Sequence, residues 1–439
     1  DIHRLTVAGA DRIRDLTYIQ PDGTDPEDRT VARVPLTSPL RPGETIEVVF
    51  EFEAQLPKVF ARTGYRGDYV LAGQWFPKIG VWESVGRRHA TAPGWNCHQF
   101  HATSEFYADF GRYEVRLTVP ADFVVGATGV ETDRVQEGET ATYRFEQDRV
   151  IDFAWTASPR FIREERVFRM QDWVSDEELQ TVAELHGITR EKASLPDTTM
   201  ILLLQPEHRA QADRHFDALA KAIKYFGLWY GPYPYPTITL VDPAWEAGGS
   251  GGMEYPTFIT AGTQWWVPAA NRGGVLGRSG PEGVTIHEFG HQYWQSVVAT
   301  NEFEEPWLDE GINSYSTARV MAAAYGASQS YLRLNQVPLP AYEWLGVAPL
   351  AQHQYARLGS IADRGQDRIW RRAWEFRSIF SYFVNSYPKS VSVLWQLEME
   401  LGEDVMARVM RVYFQRWQFR HPDTRDFIEA AEEVSGREL

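Results

Sequence analysis

The sequence is nearly devoid of cysteine: Cys97 stands alone, so no internal disulfide can close and the redox compartment is left open. Long apolar runs are missing too. The strongest, Met200 to Leu204, is far too short to cross a bilayer, and no membrane span is expected in this chain. No block of Lys and Arg occurs, and 44 basic against 60 acidic side chains leave a net charge of -16. That balance argues against nucleic acid as a partner, because phosphate binding needs basic patches. There is no internal repeat and no low-complexity tract. No basic-then-apolar leader precedes Asp1, and strand-like sequence starts almost at once, so the chain reads as a processed or trimmed piece of something longer.

What is present is ordinary for a folded protein, with 43% hydrophobic and 24% charged residues, and 439 residues predict two domains. Ile46, Val48, Phe50 and Phe52 alternate with polar neighbours, as do Tyr113, Val115, Leu117 and Val119. Period-two alternation marks strands with one wet face. With turn signals such as Pro42-Gly43 between them, residues 1–165 are expected to form an antiparallel β-sandwich or saddle. Residues 166–196 read as a polar connector or insertion with a helical pattern around Asp176 to His186. Beyond it Phe216, Leu219, Ile223 and Phe226 recur at helical spacing, a helix that Gly227 and the run Gly231 to Pro236 are expected to stop. Thr237 to Val241 and Met253 to Thr260 are strand candidates, and from Pro281 onward the patterns are mostly helical.

The segment Thr285-Ile286-His287-Glu288-Phe289-Gly290-His291 carries H-E-x-x-H. Histidines at i and i+4 project from one helix face, close enough for both imidazoles to reach one ion. Val284, Ile286, Phe289, Trp294, Val297 and Val298 give that helix a buried side. Such a motif alone arises by chance in roughly one chain in a hundred of this length. More decisive is Glu310, which follows His291 after eighteen residues, in Trp307-Leu308-Asp309-Glu310-Gly311. Two imidazoles and one carboxylate suit zinc, and the fourth position is left for water, as a hydrolytic site requires. Glu288, next to a ligand, is placed to act as general base on that metal-activated water.

Gly251-Gly252-Met253-Glu254-Tyr255, the H-E-x-x-H helix 33 residues on from Glu254, and the spacer to Glu310 together resemble the aminopeptidase N family of gluzincins, which includes leukotriene hydrolase. Similarity extends to Phe226-Gly227, Tyr233-Pro234-Tyr235, Phe153-Ala154-Trp155 and Ser386-Tyr387-Pro388-Lys389-Ser390, the last like the family's Y-x-K-G segment. The resemblance implies a thermolysin-like catalytic domain over residues 197–439, with a mixed-sheet lobe and a helical lobe, one zinc ion, and cleavage of the N-terminal bond of peptides. It implies that Glu254 holds the substrate's free α-amine, that Gly251, Gly252, Met253 and Glu254 line the bound peptide, and that Tyr387, rather than nearby Tyr382, donates to the oxyanion. Buried ammonium must meet negative charge, which is the physical logic of Glu254.

Departures from the family pattern are Tyr255 and Asp309, each where the family has asparagine. The β-domain residue that grips the amine has only Gln74 as a counterpart. The family's large helical final domain is absent before Leu439, so the cleft is expected to be open or closed by something outside this chain. Alternative readings keep the zinc but make the chain an endopeptidase or an epoxide hydrolase, or make it a non-catalytic peptide-binding module of a larger envelope protein. Cys97, His98 and His101 group metal-ligand residue types, but with no fourth partner in sight they read as ordinary residues.

Overall fold

Alternation around residues 113–119 produces the strand Gly111–Pro120, paired antiparallel with Thr140–Val150, which pairs in turn with Val130–Glu137. The computed structural model describes residues 1–59, 61–262, 280–326 and 352–439 apart from 364 and 366, together with the short pieces 333–334 and 337–338. Register puts Leu117 opposite Tyr143 and Val115 opposite Phe145, on the face that packs with Val125, Ala157 and Phe153. Glu114 and Arg116 stand opposite Glu146 and Arg144 on the wet face. The far side of this core is a four-stranded antiparallel sheet in the order Val124–Ala127, Trp155–Ser158, Tyr69–Ala72, Gly64–Arg66. The strand expected at 46–52 forms as Val48–Phe52 against Ile2–Val7.

In the second half a five-stranded mixed sheet runs Ile162–Phe168, Thr198–Leu204, Thr237–Val241, Phe258–Thr260, Met253–Tyr255. Its inner strands are parallel and both edges antiparallel. Strand Ile162–Phe168 straddles residue 165 and pairs along its whole length with Thr198–Leu204 in this sheet. Parallel neighbours need a crossover, and the helix Ala212–Trp229 supplies it between Thr198–Leu204 and Thr237–Val241. The helix at Asp176–His186 has its predicted limits because Ser175 and Glu178 cap its start reciprocally and Gly187 ends it in the left-handed region.

Gly227 does not stop the second helix, which continues to Trp229. It serves close packing instead: a Cβ there would come within 2.7 Å of Leu195. Gly231, at φ 149°, and Pro232 turn the chain away. Met253 to Thr260 is not one strand but a tight hairpin, Met253↔Thr260 to Tyr255↔Phe258, with Thr257 at φ 56°. That hairpin puts Met253–Tyr255 on the sheet edge.

Helices Gly280–Trp294, Ile312–Tyr325, Ser390–Leu401, Glu403–Trp417 and Thr424–Ser435 follow. Arg333–Leu334 pairs with Val337–Pro338, and residues 339–351, expected to be helical, lie outside the described residues. Phe226 packs on Phe289 and Tyr293 with ring centroids at 6.0 and 5.2 Å, so the crossover helix buttresses the helix carrying H-E-x-x-H. No helix among the described residues is long and apolar enough to span a membrane.

Between these two helices His215 is fully buried, with Nδ1 3.2 Å from Thr285 Oγ1. Burial, helped by Arg214 and His208, lowers its pKa from 6.5 to about 3. The unfolded chain therefore takes up a proton below 6.5 that the folded chain refuses, and stability is full above 6.5 and falls as the pH drops towards about 3. This residue alone is expected to remove about 2 kcal/mol between pH 7 and pH 5. Urea unfolding at both pH values checks it, since His215→Gln should narrow the gap by about that amount.

Candidate active site

The helix Gly280–Trp294 places His287 and His291 on one face, with their Nε2 atoms 3.2 Å apart. Glu310 comes from a widened π-helical turn, Trp307–Gly311, that opens the helix Ile312–Tyr325. Its Oε2 lies 3.4 Å from His287 Nε2 and 3.3 Å from His291 Nε2. The three predicted ligands therefore converge. Gly290 allows the approach of the neighbouring helices: a Cβ there would meet Asn313 Oδ1 and, at 2.6 Å, Phe226.

Whether a metal fits can be judged from the donor triangle. A tetrahedral ion with bonds of about 2.0–2.1 Å separates its ligand atoms by about 3.3 Å. The edges here are 3.2, 3.3 and 3.4 Å. Among the described residues Glu310 Oε2 is buried with no hydrogen-bond partner, an orphan that an ion in the triangle would satisfy. The donor set thus fits zinc.

Asp309 accepts a hydrogen bond from His291 Nδ1 at 2.5 Å and is fully buried. It fixes the tautomer that turns the His291 Nε2 lone pair into the triangle. Burial disfavours the His291 imidazolium, but Asp309, Glu254 and Glu310 outweigh it and hold its pKa well up. His287 faces Thr317 Oγ1 with its Nδ1 at 3.4 Å, and the Asn313 amide donates to its carbonyl at 2.8 Å.

Glu288 is buried beside Gly252, where a Cβ would lie 3.5 Å from Glu288 Oε1. Burial, then the negative charge of Glu254, pushes its pKa well above the usual carboxylate range. Glu254 sits on the edge strand Met253–Tyr255, and one of its carboxylate oxygens lies within 4.8 Å of His291 and Asp309 donor atoms. Gln292, adjacent to a predicted ligand, fixes this spacing by donating to Tyr255 O at 3.1 Å while accepting from Thr257 N at 2.7 Å. Tyr387 lies on a second π-helical turn, Asn385–Lys389, and donates its hydroxyl to Glu310 Oε1. Burial and Glu310 hold its pKa well up, so the phenol keeps its proton. Tyr382 packs on Phe376 instead, with ring centroids at 5.7 Å.

Three residues of this site escaped the sequence. Arg62, from the β-rich half, donates to Gly252 O at 2.7 Å and to Glu105 Oε1 at 2.5 Å, and its own N–H bonds Gly249 O. Glu105 comes close enough to Glu254 and Glu310 that burial and those charges, against the pull of Arg62, bring its pKa to about 7. Glu302 accepts from Phe106 N at 3.1 Å and anchors the segment carrying Glu105. Gln74 donates to Asp152. No local pattern announces Glu105 or Arg62. Tyr255 is buried, stacked on Phe106, with its ring against Gly73, where a Cβ would collide with it. His98 and His101 share Asp22, at 2.7 and 3.0 Å, and Cys97 lies against Gly80 instead.

Comparison with known proteins places this geometry. A family model described as the Peptidase family M1 domain matches residues 214–439. Aminopeptidase 2 of Candida albicans is 26% identical over 223 residues, 50% of this chain and 22% of that protein. Glutamyl aminopeptidase of Sus scrofa is 23% identical over 258 residues, 58% of this chain and 25% of that protein. The aligned parts thus span about a quarter of these curated relatives or less.

Among solved structures, aminopeptidase A of Legionella pneumophila, in complex with aspartic acid, superposes with a TM-score of 0.68 at 12% identity, covering 100% of this chain and 43% of that one. An M1 zinc metallopeptidase from Deinococcus radiodurans gives 0.59 at 16% identity, covering 99% and 80%. These likenesses show a shared fold. The family match runs from the crossover helix through both π-helical turns, over more than half of the sequence, and the chain belongs to peptidase family M1.

Proposed function

We propose that the chain is a zinc-dependent aminopeptidase hydrolysing the N-terminal bond of peptides with a free amine, its zinc held by His287, His291 and Glu310. The observation that carries this is the donor triangle with edges of 3.2 to 3.4 Å around the orphaned Glu310 oxygen. When bound, zinc supplies Lewis acidity, which makes water acidic enough to deprotonate near neutral pH and polarises the scissile carbonyl.

The chain's own groups perform the rest. Glu288, with its raised pKa and its place beside Gly252, takes a proton from the attacking water and returns it to the leaving amine. Tyr387, a protonated phenol, exchanges its bond to Glu310 for one to the substrate oxyanion. Gly251, Gly252 and Met253 lead into the edge strand, and an extended peptide can add as a further strand on its outer side, where no described strand pairs with it. Glu254 then meets the α-ammonium, and Glu105 rather than Gln74 is the residue of the β-rich half that shares it. Such an ammonium offsets carboxylates that Arg62 does not neutralise.

The finer architecture belongs to the same reading. Residues 1–165 form the β-domain, 166–196 the connector, and 197–439 a thermolysin-like unit whose sheet lobe carries Glu254 and whose helical lobe carries the ligands and Tyr387.

Two outcomes are expected. Glu288→Ala should lower kcat by about 10³-fold while zinc content by metal analysis and the thermal midpoint stay as in the parent. An amino-acyl anilide should be cleaved at least about 100-fold faster than its N-acetylated form, because the blocked substrate brings no ammonium to a buried carboxylate. Equal turnover of the two anilides would remove the exopeptidase assignment and leave an endopeptidase.

A further inference from the structure

The π-helical turn that carries Tyr387 contains Pro388, which has no N–H to offer, so backbone bonding alone holds it poorly. Side chains hold its two ends. Asn385 Nδ2 donates to Asp363 Oδ2 at 2.6 Å and to Ser381 O at 2.8 Å. Lys389 Nζ donates to Asn385 Oδ1 at 2.7 Å and to Asp367 O at 2.5 Å. Behind them Ser381 Oγ lies 2.6 Å from Asp363 Oδ2 and 2.6 Å from Asp367 Oδ2, and its hydroxyl proton goes to one of the two carboxylates at a time. Arg371 Nη1 donates to Asp367 Oδ1 at 2.5 Å and Arg377 N to Asp367 Oδ2 at 3.1 Å. Asp363, Asp367, Ser381 and Asn385 are all at most 4% exposed.

A buried network of carboxylates gains little stability over apolar packing of the same volume. What it does contribute is a fixed position for one short turn. Opposite, Gly311 lets the Glu310 turn lie against this one: a Cβ there would come within 2.5 Å of Ser390 Cβ. The Tyr387 phenol is therefore located by Glu310 from one side and by the turn's two ends from the other.

We propose that Ser381, with Asp363 and Asp367, is the positioning device of Tyr387: these residues touch no substrate and act on the reaction only through the placement of the phenol. The inference rests on the oxyanion role of Tyr387 given above. Displacing a reacting group by about 1 Å can cost about 100-fold in rate.

The test is a double-mutant cycle in the zinc-loaded full chain. Ser381→Ala is expected to lower kcat on an amino-acyl anilide about 10-fold with KM within about twofold, and Ser381→Thr, which keeps the hydroxyl, to restore most of it. Affinity for a phosphinic dipeptide, a tetrahedral mimic, should fall in parallel with kcat while affinity for the plain dipeptide stays. In a Tyr387→Phe background, Ser381→Ala should have no further effect. If the Ser381→Ala loss persists undiminished without the phenol, the positioning role is overturned and the oxyanion reading survives; if Tyr387→Phe itself keeps full kcat, both fall. Should Ser381→Ala not fold, Lys389→Met carries the same cycle with the same expected and overturning results.

Discussion

Negative charge concentrated out of water is the constraint around which this molecule is arranged. Glu254, Glu288, Glu302, Asp309 and Glu310 are all buried, with Glu105 beside them. The charged form of each is penalised by lost hydration, and mutual repulsion adds to the penalty. Burial is accordingly the largest influence on all five of Glu105, Glu288, Glu302, Asp309 and Glu310, and only Glu310, facing two imidazoles, ends well below the usual range. Arg62 and the imidazoles offset part of the excess. A divalent ion and a substrate ammonium are the natural complements of what is left, which joins the electrostatics to the proposed chemistry.

Holding such groups together demands a stiff frame, and the packing supplies it. The crossover helix Ala212–Trp229 and the helix Gly280–Trp294 interlock through Phe226, Phe289 and Tyr293. Glycine decides how closely elements meet here too: Gly290 admits Asn313 and Phe226 against the helix Gly280–Trp294, and Gly311 brings the two π-helical turns into contact. Both Glu310 and Tyr387 ride on these turns, a local widening often found where a helix carries function. Gln292 ties the helix Gly280–Trp294 to the edge strand, so the spacing between His287, His291 and Glu254 is set by direct hydrogen bonds.

Contact with the β-rich half is part of the site as well. Arg62, with φ 58°, reaches Gly252 across 190 residues of sequence and clamps the glycine turn ahead of Glu254. Phe106, bonded through its N–H to Glu302, brings Glu105 to the same place. The glycine run is thus bonded near both ends, Gly249 and Gly252 each accepting from Arg62.

Local periodicity was enough to write down part of this. Helical spacing alone puts His287 and His291 on one face, alternation alone gives Gly111–Pro120 its two faces, and the order of residue types marks Glu288, Glu310 and Glu254. Tertiary structure decided the remainder. It tied Tyr387 to Glu310 and Gln74 to Asp152, set Asp309 on His291, ran a helix through Gly227 and folded Met253 to Thr260 into a hairpin. Each of those outcomes depends on a partner supplied by a distant part of the chain, or on the space a neighbouring side chain leaves, and neither quantity leaves a periodic mark in the sequence.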